Sequence, residues 1–275
     1  MSIHGIFDSH AHYFDRRFET ETADGAAGIL RSVMPEPVEW IVNVGTNPET
    51  SRVAIRQAAE WQGMYAAVGI HPEDCHFCDD SALDDLRALL GDTESRRKNK
   101  IVAIGEIGLD YHADFFGDQP LDRAREMRFF DAQIKLAEEL DLPVIIHNRD
   151  AMGDCFEAIL RHPNLRGVMH SYSGSPEMVR ELVRRGWFIS FSGTLTFRNA
   201  PRVREAAMAV PRDRFLIETD CPYLAPHPKR GTLNHSGNLV YLLDAVAQLW
   251  GCSPQEAADQ TAENAKRLFG LSKIV

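Results

Sequence analysis

Six residues of metal-ligating type stand at or just beyond the ends of short apolar runs. His10 and His12 form a His-Ala-His motif after Gly5–Ser9. Glu106 closes Val-Ala-Ile-Gly-Glu, His147 closes Val-Ile-Ile-His, His170 closes Gly-Val-Met-His and Asp220 closes Leu-Ile-Glu-Thr-Asp. Taken singly, each has an ordinary reading. A histidine after an apolar strand is usually a hydrogen-bonded core or rim residue, and a carboxylate there is often a helix cap or an ion-pair partner. Together they have no good structural motive, because buried charges without partners are costly. Alternate strand residues point the same way, so His10 and His12 can share a face. Catalytic Zn, Mn or Fe ions take three or four protein ligands and keep one position open. Six donors therefore suit two divalent ions with one bridging carboxylate. The two carboxylates leave such a pair with surplus positive charge, which suits a hydroxide and an anionic substrate. Paired ions about 3.5–4 Å apart serve phosphoryl hydrolysis in this way. The histidine-rich set leans toward Zn or Mn over Mg, although added Mg can still support activity.

These donors must be positioned by repeated strand and helix units. Apolar β-rich runs fall at Gly5–Ser9, Trp40–Val44, Tyr65–Gly69, Ile101–Gly105, Pro143–His147, Gly167–His170, Trp187–Phe191 and Phe215–Thr219. Helical periodicity is clearest at Pro48–Trp61, Leu121–Leu140 and Glu177–Arg185, with two further patterns at Leu239–Trp250 and Pro254–Phe269. Asn47 before Pro48 reads as an N-cap with proline in the first helical position. The strands are near-continuous apolar runs, as in a parallel sheet buried on both faces. Eight such units predict a (β/α)8 TIM barrel, an α/β fold, as a single domain over residues 1–275; an open doubly wound sheet is the alternative. Active sites of such barrels lie at the C-terminal strand ends, where all six donors fall. The one basic run, Glu94–Lys100, precedes a strand and reads as a solvated loop on the opposite face.

The 275 residues are 44% hydrophobic and 25% charged, which allows a large core and excludes global disorder. No apolar run reaches the ~18 residues of a membrane span, and the first residues lack a basic segment followed by an apolar one, so neither a membrane partner nor a secretory signal is expected. Five scattered cysteines do not form a disulfide framework, which favours the cytoplasm. The net charge of −10 disfavours non-specific wrapping of nucleic acid. Monomer is the default oligomeric state.

At this level the motifs resemble the TatD family of metal-dependent deoxyribonucleases, within the amidohydrolase-like barrel superfamily. The resemblance covers nearly the whole chain. It rests on Phe-Asp-Ser-His-Ala-His at 7–12, Gly-Ile-His-Pro at 69–72, Ala-Ile-Gly-Glu-Ile-Gly-Leu-Asp-Tyr at 103–111 and Leu-Pro-Val-Ile-Ile-His at 142–147 with Arg149-Asp150-Ala151. His-Ser-Tyr-Ser-Gly at 170–174, Ile-Glu-Thr-Asp-Cys-Pro-Tyr-Leu at 217–224 and Glu263-Asn264-Ala265 complete it. It implies that His10, His12 and Asp220 hold one metal with Glu106 bridging, and that His147 and His170 hold a second with Glu106. It further implies that Asp220 accepts the proton of the attacking water. The implied activity is a divalent-metal nuclease trimming single-stranded DNA from the 3′ end.

The sequence departs from the family pattern at Tyr13-Phe14-Asp15, where the family usually has Leu-Asp, and at Arg230-Gly231-Thr232-Leu233-Asn234-His235-Ser236, which lacks two basic residues and a proline of the family loop. Candidate phosphate contacts are then Arg149, Arg198, Lys229 and Arg230, each with an ordinary reading as a rim ion pair. Tyr13, Tyr111, Phe115 and Phe116 could stack unpaired bases. Cys75-His76-Phe77-Cys78 has zinc-like spacing, with His71 as a third donor, but lacks a second cysteine pair and reads as a surface loop. Cys221 beside Asp220 has no positioned base and reads as packing. The competing activity is hydrolysis of a carboxylic ester, lactone or amide. Related barrels often bridge their metals with a carboxylated lysine at a strand end; here Glu106 holds that place and Lys100 lies at the wrong end. A non-catalytic scaffold is a third reading, opposed by the intact donor set.

Overall fold

The computed structural model describes residues 3–271. The described strands are β1 (Ile6–Ala11), β2 (Val38–Val44), β3 (Met64–Val68), β4 (Ile101–Asp110), β5 (Phe115–Phe116), β6 (Gln119–Pro120), β7 (Val144–Arg149), β8 (Gly167–Met169), β9 (Phe188–Phe191) and β10 (Phe215–Ile217). Eight of them form one sheet in the order β1-β2-β3-β4-β7-β8-β9-β10, and β5 and β6 pair separately as a hairpin. The order follows the chain throughout, as in a (β/α)8 barrel; a doubly wound sheet reverses its order at a switch point. Ala11 also bridges to Cys221 in parallel, linking the end of β1 to the segment after β10.

Within this sheet the chain divides into two compact units. The first comprises the described residues up to Asn43, Trp61–Met64 and those from Ser171 on; the second comprises 44–60 and 65–170. In the first unit β1 pairs with β2 and β9 with β10, all in parallel. The backbone of Asp220 donates to His10 O at 2.9 Å, and that of His12 to Cys221 O at 2.9 Å. In the second unit β3, β4, β7 and β8 pair in parallel in that order. Every residue of β1 and β4 is buried, as a strand covered on both faces requires.

The expected helices form at Pro48–Glu60, Arg123–Leu140, Pro176–Arg184, Leu239–Trp250 and Pro254–Leu268. Asn47 is the expected cap: its Oδ1 accepts from the backbone of Glu49 at 3.0 Å and Thr50 at 2.9 Å. Two expectations are corrected. The basic run is a short helix, Thr93–Lys98, rather than a loop; Asp92 caps it through Ser95 N, and its basic side chains cluster in the last turn, where the helix dipole favours them. The fourth strand does not stop before Glu106 but continues to Asp110. Two glycines allow this. A Cβ on Gly105 would come within 2.6 Å of Ile145 Cβ, and one on Gly108, at φ +146, within 1.9 Å of His147 O. Without side chains there, β4 can lie directly against β7 on both sides of Glu106.

Candidate metal centre

Two groups of donors form, one in each unit. In the first, β1 carries His10 and the next turn carries His12. Their Nε2 atoms lie 3.0 Å apart and stand 3.8 and 3.3 Å from Asp220 Oδ1. Asp220 sits at φ +55, a conformation uncommon for a residue with a side chain. Asp8 holds this segment. Its buried carboxylate accepts from Thr219 N at 2.9 Å, Thr219 Oγ1 at 2.6 Å and Ser236 Oγ at 2.7 Å. Burial outweighs these bonds and pushes the Asp8 carboxyl up to about 6. Tyr13 OH lies 2.8 Å from Ser236 Oγ and accepts from Ser236 N at 3.0 Å. Glu218 is a second buried clamp, accepting from Ser171 N and Ser190 Oγ at 2.6 Å each.

In the second unit three imidazoles converge on one carboxylate oxygen. Glu106 Oε1 lies 2.8 Å from His170 Nε2, 2.9 Å from His147 Nδ1 and 3.4 Å from His71 Nε2. The other nitrogen of His147, Nε2, is 3.1 Å from Asp110 Oδ2. Burial by itself lowers the His147 imidazole, yet its bonds to Asp110 and Glu106 carry it up to about 9. Burial likewise opposes ionisation of Asp110, but His147, the His112 N–H and Arg149 hold its carboxyl below the usual range.

Both groups fit a divalent cation by donor chemistry. In His10, His12 and Asp220, and in His71, Glu106 and His147, one donor atom from each residue lies within 4.8 Å of the others. Imidazole and carboxylate are the donors of Zn and Mn sites. The two carboxylates beside His147 favour positive charge at the imidazole, and a metal ion would supply that charge with the nitrogen as its ligand. The Asp110 contact on the remaining nitrogen is the carboxylate–histidine arrangement that fixes a ligand's ring.

All six expected donors thus fall into these groups: His10, His12 and Asp220 in the first unit, Glu106, His147 and His170 in the second. His71, considered in the sequence only as a third donor to the Cys75–Cys78 motif, and Asp110, which was not singled out, join them. Strand parity could have found Asp110, which lies four residues beyond Glu106 on the same face of β4. The basic candidates are more scattered. Arg149 is 51% exposed and 4.0 Å from Asp110 Oδ2. Arg198, Lys229 and Arg230 are exposed; Arg230 lies over the Phe197 ring at 4.2 Å and Lys229 over Tyr241 at 5.8 Å. The stacking platform does not form as expected. Tyr13 is buried, Phe116 packs on His76 at 5.0 Å, and Tyr111 bonds Asp154 beneath Arg123; Phe115 alone of the four is 62% exposed. Cys78 lies in the expected loop, but Cys75 does not. Cys75 ends the helix Pro72–Cys75, is fully buried, and its thiol is pushed up to about 12 by that burial. Arg125 holds the Cys75 and Cys78 carbonyls. Cys221 is fully buried, and burial pushes its thiol up as well.

Fold and donor set together define a metal-dependent hydrolase on a (β/α)8 barrel. The sequence profile described as TatD related DNase matches residues 7–270, and the chain belongs to that family. It is 39% identical over 270 residues to the Bacillus subtilis uncharacterized metal-dependent hydrolase YabD, covering 97% of this chain and 100% of the relative. It is 34% identical over 252 residues to a Citrobacter koseri protein named 3′-5′ ssDNA/RNA exonuclease TatD, covering 89% and 92%. Among solved structures, Escherichia coli YjjV, a TatD homolog, superposes with a TM-score of 0.85 at 29% identity over 97% of this chain and 98% of that one. No described helix is long and apolar enough to cross a membrane.

Proposed function

We propose that this chain is a deoxyribonuclease that removes nucleotides from the 3′ end of single-stranded DNA, using two divalent ions, Zn, Mn or Mg. His10, His12 and Asp220 hold one ion, and Glu106, His147 and His170 hold the other, with His71 beside Glu106. When bound, such ions lower the pKa of a water and offset the charge that develops on phosphate. The observation that carries the reading is the convergence of three imidazoles on Glu106 Oε1, at 2.8 to 3.4 Å. An ion pair needs only one imidazole; three on a single oxygen is ligand geometry. Asp220, held at positive φ beside His10 and His12, takes the proton from the attacking water. Arg149, two residues beyond His147 on the same strand face and half exposed, meets a phosphate; Arg198, Lys229 and Arg230 supply weaker contacts along the strand. The reading places the whole activity on one domain, residues 1–275, acting as a monomer in the cytoplasm, in keeping with cysteines that are all free.

The test is release of mononucleotides from single-stranded DNA labelled at either end, with Mg or Mn, comparing wild type, Asp220→Ala and Glu106→Ala. Loss of the 3′ label first, by wild type alone, is the expected result. Equal activity in both variants removes the assigned site. Absence of cleavage by a metal-loaded wild type removes DNA as the substrate.

A further inference from the structure

The helix Arg123–Leu140 buries two polar side chains on one face, Glu126 and Gln133, at i and i+7. Each grips backbone that leads to the second unit's donors. Gln133 Oε1 accepts from Ile70 N at 2.7 Å and its Nε2 donates to Ile70 O at 3.0 Å; Ile70 directly precedes His71. Glu126 Oε2 accepts from the backbone N–H of Asp110 at 2.9 Å, and its Oε1 lies 3.0 Å from His76 Nε2. The Glu126 and His76 side chains are 0% and 2% exposed. Burial pushes the Glu126 carboxyl up, against the pull of its bonds to His76 and Asp110. A carboxylate buried this deeply costs several kcal/mol before its partners offset it, and an apolar side chain would fill the space without that cost. What an apolar residue cannot do is hold a backbone N–H and an imidazole at once.

The two bonds of Glu126 reach the end of β4, where Asp110 meets His147, and the far end of the segment that starts at His71. We propose that Glu126, paired with His76, is a positioning residue for the metal group of the second unit. It fixes Asp110 so that Asp110 orients the His147 ring, and it anchors the His71–His76 segment so that His71 faces Glu106. Gln133 supports the same segment from its other end. The inference rests on the reading of His71, Glu106, His147 and His170 as metal donors. Carboxylates that bond a ligating imidazole are worth about 10- to 100-fold in metal affinity. Glu126 acts one hydrogen bond further out, so its removal is expected at the lower end, about tenfold.

The experiment is Mn²⁺ titration of the metal-free full-length protein without substrate, alongside thermal melting. Glu126→Ala is expected to weaken the affected Mn²⁺ site about tenfold. Glu126→Gln recovers most of the affinity, because an amide oxygen still accepts from Asp110 N–H and its NH₂ can donate to His76. Ile134→Ala, on the same helix and equally buried, lowers the melting temperature without moving Mn²⁺ affinity. Wild-type affinity in Glu126→Ala, or an equal loss in Ile134→Ala, overturns the proposal. Should Glu126→Ala fail to fold, His76→Leu decides: a smaller loss in the same direction supports the role, and wild-type affinity overturns it. A wild type that binds no Mn²⁺ refutes the metal reading itself. One that binds Mn²⁺ and cleaves no DNA refutes the nuclease reading and leaves the role of Glu126 standing.

Discussion

The donors of the two units are held by different means. In the first unit the carboxylate of Asp8 gathers the hydroxyls of Thr219 and Ser236 and a backbone N–H, with Tyr13 closing on Ser236, and that of Glu218 gathers the Ser190 hydroxyl and the Ser171 N–H. In the second, the supports are themselves ionisable: Asp110 on His147, and His76 on Glu126. Hydroxyls satisfy a buried acceptor without a second charge, so the first arrangement serves chiefly to hold chain segments together. A carboxylate on a ligand's imidazole raises its basicity as well as fixing it, so the second arrangement tunes the donors. Changes in the first unit's support should therefore appear mainly as lost stability, and changes in the second's mainly as lost metal binding.

The largest effects should come from the donors themselves. Glu106→Ala leaves three imidazoles around no anion, and turnover should fall at least about 10³-fold with loss of bound metal, read by activity and metal analysis together; Asp220→Ala should cost about 10²–10⁴-fold as a lost proton acceptor. Gly108→Ala is next. Its Cβ would press on the His147 carbonyl, and denaturant unfolding should show a loss of about 3 kcal/mol or failure to fold.

The supports then test the comparison directly. Asp8→Ala strands several buried donors at about 1–3 kcal/mol each, so its denaturation midpoint should drop while a surviving protein keeps near-native Mn²⁺ affinity. Asp110→Ala should do the reverse, weakening Mn²⁺ binding about 10- to 100-fold with a smaller loss of stability. If both variants lose stability and affinity in the same proportion, the division between the two supports does not exist. Chelation is milder: dialysis against EDTA removes about 2.7 kcal/mol of stabilisation for each ion held at 100 times its Kd, seen as a lower melting temperature restored by Mn²⁺. The smallest change is Tyr13→Phe, which deletes the hydroxyl between Ser236 N and Ser236 Oγ and should cost about 1 kcal/mol without touching metal affinity.

Much of the site could be read without coordinates because its donors belong to a repeating pattern. An apolar strand that ends in His, Glu or Asp announces where the side chain goes, since strand ends define one face of the barrel. His10, His12, Glu106, His147, His170 and Asp220 were picked out on this ground, although β4 runs on past Glu106 to Asp110 and β7 past His147 to Arg149. The supports obey no such rule. Asp8 lies inside an apolar run, Ser236 lies in a loop that looked merely divergent, and Glu126 lies on a helix among seven other charged residues. Tyr13 and Phe116 looked available for stacking as aromatic residues beyond strand ends, yet both are buried. The Cys75–Cys78 stretch read as a surface loop, but Cys75 is buried and its carbonyl is held by Arg125, 50 residues away.

The sequence by itself determined the fold class, the strand order and a set of candidate metal donors, because these follow from local periodicity and from which residue types can hold a cation. Tertiary structure decided which of those donors meet within hydrogen-bond distance, that His71 and Asp110 lie beside them, and that Glu126 reaches the backbone of Asp110 and Asp8 reaches Thr219 and Ser236. Those outcomes depend on contacts between segments as far apart as Asp8 and Ser236. Nothing in local spacing encodes which buried acceptor a distant donor will reach once the strands are packed.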